Sequence, residues 1–370
     1  MDFLIDYKSS EINEYIKELE IVGSLSNLFS ESSSPLIYYR ATENIYCSCF
    51  KAKDVTRADC TADAIVGDVG IGIKTFIGSS PQKIAEFNKT IGLYNHLRGM
   101  VLAQTIATLR NQRIATTMRT YGLNKMIYHC VVREAGKIHL IEEPMNSINV
   151  ANIVVLEENE KHIKFTDGIE KYNFSKSKST LYKYFDVTDS VLTFEVKIFR
   201  DPIEILKKLF ESMHFDAGYN PYENPNHPSH EELIIPLYTI DRNGVRTVCK
   251  KSGLNQWNAG GRKRNSDEVY IPFPAKLRKA HPHFFPDRNT KWNVVLPDGR
   301  TISMKVCQDN SKAIMSDPNK DLGKWLLRDV LNLREKELLT YDYLISLGID
   351  SVIFKKQDGK FYLDLLVSED

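Results

Sequence analysis

The chain has 370 residues, 42% hydrophobic and 26% charged, and its 49 Lys and Arg against 48 Asp and Glu give a formal net charge of +1. That length exceeds what one hydrophobic core usually serves, so two domains are expected. The balanced charge excludes a global field for polyanions, so any affinity for nucleic acid must come from local patches.

No apolar run approaches the roughly 20 residues that cross a bilayer, and the N-terminus MDFLIDYKSSEINEY is acidic and polar, unlike a signal peptide. Six cysteines, at 47, 49, 60, 130, 249 and 307, form no CxxC pair and read as free thiols without a zinc site. A cytoplasmic protein is expected. In chain order, residues 1–34 read as one amphipathic helix with Ile12, Tyr15, Ile16, Leu19 and Ile21 near helical spacing, closed by the serine-rich break Ser30 to Pro35. From Thr61 the pattern turns to β: Ala62 to Val66, a Gly67-Asp68 turn, then Val69 to Ile77, which predicts a hairpin. Ser79, Ser80 and Pro81 then supply a cap and a first-turn proline, predicting a helix over QKIAEFNK that continues to about Tyr121 with a break near Gly92. Strands follow at Met126 to Val132, Lys137 to Ile141, Asn152 to Leu156, His162 to Phe165 and Tyr172 to Phe174, then a helix from Pro202 to Met213.

Between Asp216 and His230 the composition collapses to DAGYNPYENPNHPSH, a linker signature. This sets the expected organisation: a first domain over 1–213, a linker over 214–230 and a second domain over 231–370. Short strand-like runs fill the second domain, among them ELIIPLY, EVYIPFP, WNVVLP, TISMKVC, SVIFKK and FYLDLLV, and predict a barrel or sandwich. His281 and His283 in KAHPHFF read as a proline-broken surface segment rather than metal ligands.

The stretch Lys250 to Arg264, KKSGLNQWNAGGRKR, carries five basic residues, no acid, an indole and the amides of Asn255, Gln256 and Asn258. Cations neutralise phosphates, while amides and guanidinium groups pair two-point with base edges, so the mixture suits a duplex groove; a solvated basic loop is the bland alternative. SGLNQWNAGGRKRNSDEVYIPFP, KVCQDNSKAIMSDPNKDLGKWLLRDVL and TYDYLISLGIDSVIF closely resemble the C-terminal DNA-binding domain of NgoFVII-type restriction endonucleases over roughly Glu231 to Leu366. That family resembles the plant B-three pseudobarrel, also used by the EcoRII effector domain and the BfiI recognition domain. The resemblance implies two arms entering the major groove, here Ser252 to Arg264 and Cys307 to Lys324. Candidate DNA-binding residues are then Lys251, Ser252, Gln256, Trp257, Asn258, Arg262 and Arg264 on the first side, and Gln308, Asp309, Asn310, Lys312 and Asn319 on the second. Trp257 could equally buttress its arm.

The first domain's hairpin offers the chemistry. Nucleases of the PD-(D/E)XK type place an acid on one strand and acid-x-lysine on the next, so that carboxylates hold Mg²⁺ and the lysine orients water. Asp63 and Gly72-Ile73-Lys74 fit that spacing, except that Gly72 stands where the acid should be. Some members carry the missing carboxylate on the following helix, where Glu86 is expected to lie. The catalytic set is Asp63, Lys74 and Glu86, with Glu43 in YYRATENIYC auxiliary and Gln82 one turn before Glu86; Asp63 and Glu86 are the metal ligands. Asp68 falls in the turn, an ordinary place for a solvated Asp. His162-Ile163-Lys164 supplies the HxK of the rival phospholipase-D-like nuclease, without its following acid or GSxN.

The expected fold is α+β: an N-terminal α/β PD-(D/E)XK-like nuclease core, a mixed sheet flanked by helices, and a mostly-β C-terminal pseudobarrel. The expected function is that of a type II restriction endonuclease cutting double-stranded DNA with Mg²⁺ to leave 5′-phosphates. It would act as a homodimer or transient DNA-bound dimer, with a companion DNA methyltransferase in the cell. A metal-independent phospholipase-D-like nuclease and a non-catalytic DNA-binding regulator remain the alternatives.

Overall fold

The computed structural model describes residues 3–56, 60–212 and 231–368. Among these the chain divides into two compact units: residues up to 56 with 61–110 and 124–212 form the first, and 231–368 with 111–123 and Cys60 form the second. The expected linker, 214–230, lies outside the described residues.

In the first unit the elements are α1 (Ser9–Ser24), α2 (Tyr39–Cys49), β1 (Lys53–Asp54), β2 (Ala64–Val66), β3 (Val69–Ile77), β4 (Gln82–Glu86), α3 (Gly99–Tyr121, in this unit as far as Arg110), β5 (Lys125–Glu134), β6 (Lys137–Pro144), β7 (Val154–Glu158), β8 (His162–Thr166), β9 (Lys171–Ser175), β10 (Thr180–Lys183), β11 (Leu192–Glu195) and α4 (Pro202–Ser212). Residues 1–34, expected as one helix, hold α1 and a short 3₁₀ turn over Ser26–Leu28, and α2 begins only after the serine-rich break.

A six-stranded sheet runs β1-β2-β3-β5-β6-β11, with β3 and β5 parallel and the other pairs antiparallel. The β2–β3 hairpin turns at Gly67, whose φ of +59° is the left-handed backbone that glycine adopts without strain. Side chains along β3 alternate. Ile71 and Ile73 face a core shared with Tyr15 and Leu19 of α1 and Tyr46 of α2, while Gly70, Gly72 and Lys74 share the opposite face.

A second, antiparallel sheet runs β4-β10-β9-β8-β7, and its buried Ile163, Phe165, Phe174 and Leu181 pack with Leu102, Ala103, Ile106 and Ala107 on the first half of α3. This sheet corrects the expected helix over QKIAEFNK. Serine and proline are a strong local helix start, but β10 offers Gln82–Glu86 an antiparallel ladder, broken by one register shift, and tertiary pairing outweighs local propensity. The helix begins only at Gly99.

The second unit holds β12 (Glu231–Pro236), β13 (Thr239–Ile240), β14 (Arg246–Thr247), β15 (Ile271–Pro272), α5 (Ala275–Ala280), β16 (Lys291–Val295), β17 (Thr301–Cys307), β18 (Ala313–Ser316), α6 (Asp321–Gly323), a π-helical turn over Lys324–Val330, α7 (Tyr341–Ser346), β19 (Ser351–Gln357) and β20 (Lys360–Leu366). Seven strands form one sheet in the order β12-β19-β20-β16-β17-β18-β15, parallel only at β16–β20, beside a small β13–β14 ribbon. Its core is aromatic: Phe285 stacks on Trp292 at 5.1 Å between ring centroids, and Phe354 and Phe361 close around them. The π-helical turn buries Trp325, Leu326 and Leu327, each large side chain contributing about 1.5–3 kcal/mol. The molecule is therefore α+β, with a sheet-rich C-terminal domain. No helix among the described residues is long and apolar enough to cross a membrane.

Candidate functional site

The β2–β3 ladder ends at Ala64 opposite Ile71, and Asp63 stands just beyond it. Its own N–H donates to the Ile71 carbonyl at 2.7 Å. Two residues further along β3, the Ile73 N–H donates to the Asp63 side chain, Oδ2, at 2.6 Å, and the Ile73 carbonyl accepts from Lys74 Nζ at 2.9 Å. Lys74 Nζ also reaches Asp63 Oδ2 at 3.3 Å, with the two side chains 21% and 23% exposed. The strand end thus fixes a carboxylate and an ammonium against the backbone of one residue, Ile73.

Glu43 comes to the same place from α2. It is buried, and Arg40 Nη1 donates to its Oε2 at 2.9 Å. Burial holds the Glu43 carboxyl above the usual glutamate range; the charge of Asp63 pushes the same way, and Arg40 and Lys74 pull against it. Burial, the largest influence, works against the charge of Lys74, but Asp63 together with the neighbouring Tyr128 and Cys130 outweighs it and the ammonium is held above its ordinary value. Two carboxylates that feel each other thus stand at this corner of the first unit, each with a cation on it.

Gly72 lies on the face of Lys74, and a Cβ there would come within 2.7 Å of Met145 Cε and 3.2 Å of the Tyr128 ring. The space an acid would take at 72 is already filled. Glu86, expected on a helix over the hairpin, lies instead on β4 of the other sheet, ion-paired with Lys83 and accepting from Asn88. On that strand its carboxylate is not carried back over the hairpin by a helix. Gln82, also on β4, donates to the Ser80 carbonyl at 2.8 Å, and Asp68 in the turn accepts from Asn124 Nδ2 at 2.6 Å.

Among the described residues no group of three or more His, Cys, Asp or Glu could share a metal. Glu43 and Asp63 offer two carboxylates, a donor set that suits Mg²⁺, which keeps several waters and takes one or two carboxylates plus substrate phosphates. The rival HxK is a surface cluster: His162 Nε2 and Lys164 Nζ lie 3.0 Å and 2.8 Å from the Glu157 carboxylate across the β7–β8 hairpin, while Ile163 and Phe165 point inward. Another acid and histidine, Glu142 and His129, are bonded at 2.9 Å and joined by Tyr7 and Tyr15, but both are fully buried on the helix side of the sheet and closed to a large substrate.

In the second unit, the segment expected as the first arm leaves the β13–β14 ribbon and makes a short 3₁₀ turn at Gly253–Asn258. Asn255, a candidate base-reading amide by composition, is fully buried: its Nδ2 donates to the Cys249 and Leu339 carbonyls at 3.0 Å and 2.9 Å, and its Oδ1 accepts from Leu339 N–H at 3.0 Å. It holds the loop. Trp257 packs half-buried against the core, while Lys251 is exposed and Ser252, Gln256 and Asn258 are half-exposed. The segment expected as the second arm is the turn from β17 to β18. Gln308, Asn310 and Ser311 have φ of 64°, 58° and 54°, left-handed backbone that displays Asp309, Asn310 and Lys312 on an exposed tip. From Asp321 the chain is core helix with Leu322 and Trp325 buried, so the arm's expected extension to Lys324 stops short.

Residues 231–358 match the family model of the NgoFVII C-terminal B3-like DNA-binding domain. The match takes in both arm segments and every strand of the seven-stranded sheet except β20. DNA is the partner that this B3-like match supports, and restriction the setting. No curated protein matches the chain.

Within the B3-like domain the sequence reading misses Glu268, which is 2% exposed and bonded from both arms. The acids in RKRNSDE, directly after the basic run, were the available signal. It also misses Arg40, three residues before Glu43 on a helix, a spacing that brings two side chains together.

Proposed function

We propose that the chain is a type II restriction endonuclease: its B3-like domain reads a duplex sequence, and Asp63, Lys74 and Glu43 hydrolyse the phosphodiester. The observation that carries this reading is the Lys74–Asp63 pair at the end of the hairpin, with Glu43 beside it, in a chain whose other unit matches a restriction-enzyme DNA-binding domain. Glu43 takes the place given to Glu86. As in PD-(D/E)XK nucleases, the acid and the lysine come from adjacent strands of a mixed sheet, and the second acid comes here from a helix earlier in the chain.

Glu43 and Asp63 would hold Mg²⁺, which when bound supplies charge neutralisation at the scissile phosphate and a more acidic water. Lys74, kept charged by Asp63, is suited to orient that water and to stabilise the negative charge growing on the phosphoryl oxygens. In-line attack with departure of the 3′ oxygen leaves a 5′-phosphate. Cutting both strands takes two such centres, which a homodimer or a pair assembled on DNA supplies, and a companion DNA methyltransferase would protect the host.

The test is digestion of a plasmid carrying a selected target site by the full chain, in Mg²⁺ and in EDTA, with the ends mapped. Cutting in Mg²⁺ alone with 5′-phosphate ends is expected. Equal cutting in EDTA would overturn the mechanism in favour of a metal-independent nuclease, and specific binding without any nick would leave a DNA-binding regulator.

A further inference from the structure

Glu268 is the one buried carboxylate that both arm segments touch among the described residues. Its Oε2 accepts from Arg262 Nη1 at 3.1 Å, Arg262 Nη2 donates to Oε1, and Arg264 Nε lies 3.4 Å from Oε1. From the other arm, Asn319 Nδ2 donates to Oε2 at 3.0 Å. Arg264 is 13% exposed, and its Nη1 donates to the Ala259 and Gly260 carbonyls at 2.7 Å and 2.9 Å. The neighbouring Asp267 is anchored to Arg328 of the π-helical turn at 2.7 Å, so the segment carrying Glu268 is itself fixed to the core.

We infer that Glu268 is a positioning residue for DNA reading: it ties the two arms to one point and sets the spacing at which they meet the duplex. A carboxylate buried to this depth must keep its cation and its donor, since an uncompensated buried charge is strongly unfavourable. The arms therefore move together or not at all. A second effect is electrostatic. Glu268 neutralises part of the arm's positive charge, restraining the phosphate attraction that pulls a basic loop onto any sequence. The inference rests on the DNA-reading half of the proposed function and not on its nuclease half.

Duplexes selected from a random-sequence library by the full wild-type chain define its consensus. Binding of that consensus and of a scrambled duplex is then compared for wild type, Glu268→Gln and Asn319→Ala, each checked for folding by its melting transition. Glu268→Gln should bind the scrambled duplex more tightly, with a salt slope steeper by about 0.9 for the charge released. Its ratio of specific to non-specific affinity should fall at least about ten-fold, out of the ~10³–10⁷ typical of such proteins. Asn319→Ala should lower the ratio without the change in salt slope. A role confined to stability would lower the melting point and leave the ratio intact, which overturns the inference; if Glu268→Gln does not fold, an unchanged ratio in Asn319→Ala does so alone. Failure of the wild-type chain to select any consensus would instead refute the DNA-reading premise.

Discussion

The two units each rest on an ion pair of similar chemistry set at different depth. The side chains of Lys74 and Asp63 are both about a fifth exposed, while the Glu268 side chain alone is 3% exposed, paired with an Arg262 side chain that is 57% exposed. A pair that reaches solvent can exchange its partner for water or a phosphate oxygen at a lower cost than an enclosed one. A pair with one buried member cannot, because removing its partner leaves a charge in a medium that solvates it poorly. Depth separates charges free to meet a substrate from charges that shape the surface around it. Of the five cations in Lys250 to Arg264, Arg262 and Arg264 lie against Glu268.

The largest expected effect is at the open pair. Lys74→Ala should slow cleavage of a cognate plasmid by about 10²–10⁴-fold, with binding of the same duplex, measured by gel shift, within about two-fold of wild type because charge in the other unit does the reading. Glu43→Gln should show a comparable loss and Glu86→Gln none. If Glu86→Gln abolishes cutting and Glu43→Gln does not, the assignment of the second acid is reversed.

A smaller effect is expected where polar groups are fully enclosed. Asn255→Ala strands the Leu339 N–H and two carbonyls, and should cost about 2–4 kcal/mol in the second unit. Chemical denaturation followed by tryptophan fluorescence checks it. A loss under about 0.5 kcal/mol would mean that this loop is not rigidly held.

The smallest effect concerns pH. Lys183 is buried with Glu143 and Glu170, each 2.7 Å from its Nζ. Burial opposes its charge, the two carboxylates outweigh burial, and its pKa in the folded protein lies above the ordinary lysine value of about 10.4. Its contribution is complete below that value and is lost as pH rises through the folded pKa. Melting curves taken upward from about pH 10.4 should fall more steeply for wild type than for Lys183→Met; parallel curves would show that this buried cluster behaves like an open one.

What could be read from the sequence follows the range of each interaction. The hairpin was legible because Gly67-Asp68 and the alternation of Val69 to Ile77 act over a few residues, and β2 and β3 form where they predict. β4 was misread because its partner, β10, lies about a hundred residues downstream, whereas Ser80 and Pro81 speak locally for a helix. The same limit left Glu43 only an auxiliary acid in the sequence: on α2 it comes to feel the charge of Asp63 only after α2 packs on the sheet. Asn255 and Gln256 are adjacent amides in one loop, and nothing local says that the first serves Leu339 and the second is left half-exposed.

Gly323 gives the B3-like domain a fulcrum. A Cβ at this position would sit 2.0 Å from the Asp267 carbonyl oxygen, so the helix backbone bears directly on the segment that carries Glu268. Any side chain at 323 must lever that segment away from the core. A side chain at position 323 is thus expected to shift Glu268, one residue on from Asp267, without changing any residue of the first arm segment.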